Sequence, residues 1–563
     1  MSGKTGGKAG GKAGEENKKA ALAAKASAAG PFANPMQVLK SDFPASVVVF
    51  LVALPLCMGI AMASGVPPAL GLITGIVGGL VVGFLAGSPL QVSGPAAGLA
   101  VLVLQFVETY GLALLGVAVL AAGVLQLVAG ALRIGTWFRA VSPAVIGGML
   151  GGIGVLIFAS QFHVMVDDTP RGGGLANLLS IPEAVYKGIF PVDGTAHHLA
   201  AMIGVITLGS IVLWTKFKPK ALAPVPAPLV AVLVATFAAW VGGFFINGEA
   251  SLPIQYVSVP ESLVDSLNMP TLASFSSLLD WQFVVSVLGL AAIASAETLL
   301  CATAVDKLHT GPRTKYDKEL MAQGVGNMIC GVFGALPMTG VIVRSSANVE
   351  AGGKTRLSAI LHGAWLLGLV ALAPFVLRAI PTAALAGILV YTGYRLLNIP
   401  GIVKLWKARP SEAVVQVGTL TAIVATDLLT GVLIGIGLAL LKLLYSFSKA
   451  KALPRFFKTF AGLNVDVKET DGKYDVHLSG AATFIRLPIL ANRLEAIPQD
   501  AKVEIHLGDL SHIDHGCYDL LQSWASQRSK AAGGETVVDW DTAEKRSHAV
   551  VLTLPGSKDK HAA

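Results

Sequence analysis

Long apolar stretches dominate this chain, and few of them alternate as strands do or show the one-sided rhythm of a surface helix. Runs of about 20 apolar residues, long enough to cross a bilayer as a helix, recur from Val47 to Phe447. A first set of spans is drawn at Val47–Ser64, Ala69–Ala86, Ala96–Tyr110, Leu112–Leu132, Val141–Gln161, Leu199–Phe217 and Leu229–Asn247. A second set is drawn at Trp281–Val305, Leu320–Ala335, Val341–Glu350, Leu357–Arg378, Thr382–Leu397, Ser411–Asp427 and Leu429–Ser446. The predicted fold class is an α-helical polytopic membrane protein with 14 transmembrane segments in two sets of seven. An odd number per set puts the halves in opposite orientations. In each set the third span is short and follows a proline break, so an inverted repeat is expected.

Composition agrees. The chain has 563 residues, of which 53% are hydrophobic and 13% charged, against about 25% charged in a soluble domain. The formal charge of +8 is read as topology rather than nucleic-acid binding. Loops after even-numbered spans hold Arg133 and Arg139, Lys216, Lys218 and Lys220, Lys307, Arg313, Lys315 and Lys318, Lys354 and Arg356, Lys404, Lys407 and Arg409, then Lys449 and Lys451. Asn247–Asp280 has no Lys or Arg. By the positive-inside rule both termini are cytoplasmic, in a cell inner (plasma) membrane. No signal-peptide pattern opens the chain. Cys57, Cys301, Cys330 and Cys517 are scattered, with neither disulfide nor metal spacing.

Four regions follow. Residues 1–38 are Gly/Ala/Lys-rich and read as a disordered tail. Residues 39–450 form the transmembrane domain. Residues 460–545 alternate strand-like and helix-like segments around Asp471-Gly472, which predicts a small α/β domain. Residues 546–563 read as a second tail.

The chemistry is placed by three stretches. Val92–Leu104 (VSGPAAGLAVLVL) and Pro337–Asn348 (PMTGVIVRSSAN) each break an apolar run and then restart a helix. The amides of Ala96, Ala97 and Gly98, and those of Thr339, Gly340 and Val341, would lack intrahelical acceptors. Such helix ends bind anions, and Ser93 and Thr339 add hydroxyls. The alternative is two ordinary proline breaks between packed helices. The third stretch, LAAIASAETLLCAT, carries Glu297 in an otherwise apolar helix. A carboxylate at bilayer depth marks a substrate or ion site by default. Desolvation disfavours its ionised form, so Glu297 would carry a proton inward with the anion or, ionised, hold Na⁺; a structural pair with a neighbouring helix is the alternative. Cys301, one turn on, either lines the pocket or packs. Arg344 either draws anions or snorkels at a helix end. His163, His197 and His198 read as solvated outer-loop residues, not a metal site. No nucleophile–base pair, phosphate motif or metal cluster suggests an enzyme, and no cofactor is expected beyond Na⁺ or H⁺ as coupling ion.

These residues resemble the SulP (sulfate permease) family of anion transporters. The resemblance rests on DFPASVVVFLVALPLCMGIAMASG (Asp42–Gly65), SGPAAG, SAETLLCATAVDK and GVFGALPMTGVIVRSSANVEAGGKTRLSAILHG (Gly331–Gly363). The soluble part resembles a STAS domain, with LSHIDHGCYDLLQSW (Leu510–Trp524) in its turn. The resemblance implies core and gate domains, a homodimer, an elevator-type motion and a coupling carboxylate at Glu297. It also implies a small inorganic oxyanion as substrate, bicarbonate ahead of sulfate. Two departures stand out. Leu56 follows Pro55 where many members have Gln. His515 and Gly516 replace the Ser that regulatory STAS domains phosphorylate, so a scaffold, dimer contact or cytoplasmic docking role is expected there. Rival readings are an uncoupled channel or exchanger, a STAS-based signalling protein, and a nucleobase carrier on the same plan.

Overall fold

The computed structural model describes residues 35–538 apart from 136–141, 172, 191–195, 220–221, 223–224, 248–251, 259–262, 307, 310, 450–462, 471–472, 499–500 and 531–535. The expected tails at 1–34 and 546–563, and the Asp471-Gly472 turn, lie outside these residues. Residues 35–38, assigned to the tail, already belong to the first helix, α1 (Pro35–Ala63).

There follow α2 (Pro68–Leu85), β1 (Ser93–Pro95), α3 (Ala97–Tyr110), α4 (Leu112–Ala131) and α5 (Pro143–Met165). Two short helices, α6 (Gly174–Leu179) and α7 (Ile181–Ile189), precede α8 (His197–Phe217) and α9 (Ala227–Asn247). The second half runs α10 (Trp281–Asp306), α11 (Tyr316–Val332), β2 (Met338–Gly340), α12 (Ile342–Glu350), α13 (Leu357–Leu372), α14 (Pro374–Arg378) and α15 (Thr382–Leu397). Next are α16 (Ile399–Ala408), α17 (Pro410–Ala425) and α18 (Leu428–Lys449).

Among the described residues eight helices are long and apolar enough to cross a bilayer: α1, α2, α4, α5, α8, α9, α10 and α18. Fourteen full-length spans are therefore not what helix length and composition yield. The other expected spans are helices too, but α3, α12, α13, α15 and α17 hold 14, 9, 16, 16 and 16 residues. The 17-residue α11 carries Asp317, Lys318 and Glu319 in its first turn. Proline and glycine set several ends: Pro68, Pro374 and Pro410 sit in first turns, and Gly111 at φ 82° separates α3 from α4.

The described residues divide into two compact units, one lying within residues up to 135 and 153–396, the other within 136–152 and 397–563. In the first, α4 and α11 pack through facing glycines. Gly116, Gly123 and Gly130 recur every seven residues, the first two against Gly331 and Gly324 and the third against Asp317 and Met321. A Cβ on Gly123 would lie 2.6 Å from Met328 N, and one on Gly324 2.6 Å from Leu127 N. Membrane helices gain little from apolar burial against each other, so close backbone contact of this kind holds them together. Likewise Gly79 of α2 meets Gly363 of α13.

In the second unit, Gly147, Gly148 and Gly152 of α5 face Gln416, Thr419 and Ile423 of α17. Glu412 of α17 pairs with Lys442 of α18. The C-terminal part is a four-stranded sheet, β3 (Leu463–Thr470), β4 (Lys473–Ala482), β5 (Lys502–Ile513) and β6 (Thr536–Val538), in that order. The β3–β4 pair is antiparallel and the other two pairs are parallel. With α19 (Leu487–Glu495) and α20 (His515–Lys530) it encloses a core of Val476, Leu478, Leu490, Ile505, Leu507 and Leu521.

Candidate functional site

Two helix restarts meet in the first unit. Pro95 cannot donate to a helix and biases its predecessor to extended backbone. Pro337 does the same before β2. The short extended segments that result pair antiparallel, with Ser93 opposite Gly340, Gly94 opposite Thr339 and Pro95 opposite Met338. Helices α3 and α12 start immediately beyond this crossover, so their N-terminal turns are brought together.

Glu297 of α10 lies against the first restart. A Cβ on Gly98 would sit 2.5 Å from Glu297 Oε1 and 2.6 Å from Oε2. The Gly98 amide donates to the carboxyl, while Oε2 is sealed from solvent and has no hydrogen-bond partner among the described residues. The next residue, Thr298, touches the second restart, where its Oγ1 accepts from Gly340 N at 3.3 Å. Consecutive residues of one helix thus contact both breaks.

The donors differ from expectation in the second break. Gly340 N is taken by Thr298, and Val341 N donates to Val92 O at 2.9 Å. The first intrahelical bond of α12 is Ser345 N to Val341 O, 2.9 Å, so the helix-end amides there are those of Ile342, Val343 and Arg344. In α3 the first such bond is Leu99 N to Ala96 O, 3.2 Å, which leaves Ala96, Ala97 and Gly98 before it, the Gly98 amide turned to Glu297.

The hydroxyls are also occupied. Ser93 Oγ accepts from Gln323 Nε2 at 2.6 Å, and Thr339 Oγ1 donates to Gly340 O at 3.1 Å. Cys301 packs with Leu90 and Val305, its sulfur 3.9 Å from Ser345 Oγ; these surroundings favour packing over pocket lining. Arg344 does not snorkel. It is 0% exposed, its Nη2 donates to Pro95 O at 3.4 Å, and a Cβ on Gly94 would collide with its Nη1. Its Nε and Nη1 find no acceptor among the described residues. A cation buried with so few partners raises the local positive potential.

A polar ladder on α11 escaped the sequence reading. Glu319, Gln323 and Asn327 stand four residues apart on one buried face. Glu319 Oε2 accepts from Gly87 N (2.8 Å) and Ser88 N (2.9 Å), and its Oε1 from Gln91 Nε2 (3.1 Å) and Gln323 Nε2 (3.0 Å). Asn327 bonds both backbone groups of Met338, at 2.7 and 3.1 Å, and reaches Gln126 at 2.7 Å. The ladder therefore grips both crossover strands. Polar residues at i, i+4 and i+8 of an apolar span were the available signal.

Two of the outer-loop histidines, His163 and His197, are packed rather than solvated. His163 is fully buried, with Nε2 3.2 Å from Asn177 O and 3.0 Å from Ser180 Oγ. His197 Nδ1 lies 2.7 Å from Val166 O. Beside them Asp168 pairs with Lys187 at 3.1 Å and Arg171 at 3.5 Å. Burial alone would push the Asp168 carboxyl up, but the Lys187 hydrogen bond and these charges hold it below the ordinary value.

Helices broken at a shared crossover beside a buried carboxylate define the interrupted-helix class of membrane transport proteins. The model of the sulfate permease family matches residues 39–441, and the chain belongs to that family: it is a multi-pass membrane transporter of anions and not an enzyme. It is 30% identical over 421 residues to the Bacillus subtilis (strain 168) protein named "Putative sulfate transporter YvdB", covering 74% of this chain and 75% of that protein. It is 26% identical over 416 residues to "Bicarbonate transporter BicA" of Picosynechococcus sp., covering 71% and 69%. The solved transmembrane domain of a cyanobacterium bicarbonate transporter BicA shares the fold, with a TM-score of 0.59 at 24% identity over 70% of this chain and 97% of that one.

Proposed function

We propose that this chain is a secondary active transporter of a small inorganic oxyanion, bicarbonate first and sulfate second, driven by Na⁺ or H⁺ through Glu297. The observation that carries the reading is the β1–β2 crossover with the Glu297 carboxyl against Gly98. Amides of Ala96 and Ala97 on one side, and of Ile342, Val343 and Arg344 on the other, offer an anion hydrogen bonds without a permanent charge in contact, while the Gly98 amide turns to the Glu297 carboxyl. Ser93, Thr339, Gly340 and Val341 shape the floor, and the buried Arg344 guanidinium supplies positive potential from beneath. A carboxyl at this spot gains a proton or binds Na⁺ more readily when the anion beside it is bound, which is the reciprocity coupling requires. Bicarbonate pairs better with Na⁺, since protonation destroys that anion; sulfate suits H⁺. The names of the relatives support both anions and choose neither.

The same reading assigns 14 spans in a seven-plus-seven inverted repeat, elevator-type alternating access, a homodimer, cytoplasmic termini and a STAS domain at 460–545. The short helices at the third position of each half and the basic loops support it. The test is uptake of labelled bicarbonate and sulfate into proteoliposomes under imposed Na⁺ or proton gradients. Accumulation of one anion under one gradient supports the assignment. Currents far above carrier turnover that need neither gradient would replace it with a channel.

A further inference from the structure

Among the described residues, the C-terminal sheet turns one face to its helices and core and leaves the other open. Side chains alternate along a strand; Val476, Leu478, Val503, Ile505 and Leu507 enter the core, so Asp475, His477, Glu504 and His506 share the open face. The parallel register sets Asp475 beside Glu504 and His477 beside His506. Two carboxylates side by side on neighbouring strands repel each other. The two imidazoles stack at 4.3 Å between centroids, 13° from parallel, which fixes the direction of the His506 ring. Ligand atoms of Asp475, Glu504 and His506 lie within 4.8 Å of one another, and His506 Nε2 is 3.9 Å from Glu504 Oε1. Like groups placed together in this way are what a shared cation relieves. At present Lys473 does part of that work, at 2.6 Å from Glu504 Oε2 and 3.7 Å from Asp475 Oδ1.

We propose that Asp475, Glu504 and His506 form a surface site for a divalent transition-metal ion of the Zn²⁺ type, with Lys473 as the competing internal cation. An imidazole and two carboxylates are borderline donors that suit Zn²⁺ and its neighbours rather than Mg²⁺ or Ca²⁺. Bonds of about 2.0–2.2 Å need only a small inward closing of side chains that are 30%, 36% and 40% exposed for Asp475, Glu504 and His506. A fourth position is left to water or to His477 after its ring turns. Bound metal would tie β4 to β5.

The test is equilibrium dialysis of the purified full chain in detergent against Zn²⁺, with metal counted by elemental analysis. Because histidines elsewhere also take up metal, the readout is the difference between variants. His506→Ala and Glu504→Gln should each remove one Zn²⁺ per chain or weaken it more than about 100-fold, beyond what loss of a supporting contact costs. Lys473→Ala should tighten the same ion, by up to about fivefold, the worth of an exposed ion pair. Unaltered thermal melting of these surface variants shows that the fold is intact, and the two ligand variants check each other. Native-like Zn²⁺ binding in both ligand variants, or unchanged or weaker binding in Lys473→Ala, would overturn the site and leave an ion-paired sheet surface only.

Discussion

The break before α3 and the break before α12 use one device, proline and then small residues, yet their amides go to different work. Before α3 the donors stay at the helix end, and the Gly98 amide meets the Glu297 carboxyl. Before α12 the Gly340 and Val341 amides are consumed in building the crossover, the ladder on α11 clamps Met338, and the charge comes from Arg344 below. One break is arranged around the Glu297 carboxyl and the other around the scaffold. In the proposed anion site, the two half-helices are therefore chemically unequal.

The comparison breaks most completely where the scaffold is removed. Glu319→Ala leaves four buried donors without their acceptor, each costing about 1–3 kcal/mol. The protein should lose more than about 3 kcal/mol, read as a large fall in melting temperature in detergent. Next come the two glycines. Gly98→Val pushes the Glu297 carboxyl aside and should cut transport by more than about 100-fold, near 2.7 kcal/mol, with melting close to normal. Gly340→Val strikes the Gln91 amide, which holds Glu319, and should lower melting first. Identical defects in both variants would erase the distinction.

Arg344→Met tests whether positive potential reaches the site. The anion KM should rise about 10-fold, or 1.4 kcal/mol, with less change in turnover; an unchanged KM makes Arg344 structural. The smallest effect concerns pH at the end of α10. Burial first, and Arg313 second, push the His309 imidazole down to about 4, and its Nδ1 accepts from Gly311 N at 3.0 Å. The folded state thus prefers the neutral ring. Stability is full above the ordinary value near 6.5 and falls as pH drops from there toward 4. Between pH 7.5 and 6 the loss should be about 1 kcal/mol, and His309→Asn should flatten it.

Much of this was legible in advance because apolar runs mark membrane helices by length alone. Drawn spans such as Ala69–Ala86, Leu112–Leu132 and Trp281–Val305 fall within a residue of α2, α4 and α10. The two breaks and Glu297 stood out for the same reason, as polar or proline interruptions of apolar stretches. Less visible was anything fixed by partners distant in the chain. Gly340 and Val341 looked like free donors because Thr298 and Val92 are neighbours only in space. His163 looked solvated because α6 and α7, which cover it, carry no long apolar run. The heptad spacing of Gly116, Gly123 and Gly130 and the four-residue spacing of Glu319, Gln323 and Asn327 were readable and were passed over. The drawn span began at Leu320, one residue beyond the buried carboxylate.

The most direct measurement separates binding from coupling. Proteoliposomes containing the native protein or Glu297→Gln are assayed for labelled-anion exchange at equal concentrations and for uptake under an imposed Na⁺ or proton gradient. Glu297→Gln should keep exchange, because the helix-end amides still hold the anion, and lose accumulation. Accumulation equal to the native protein's would contradict coupling through Glu297.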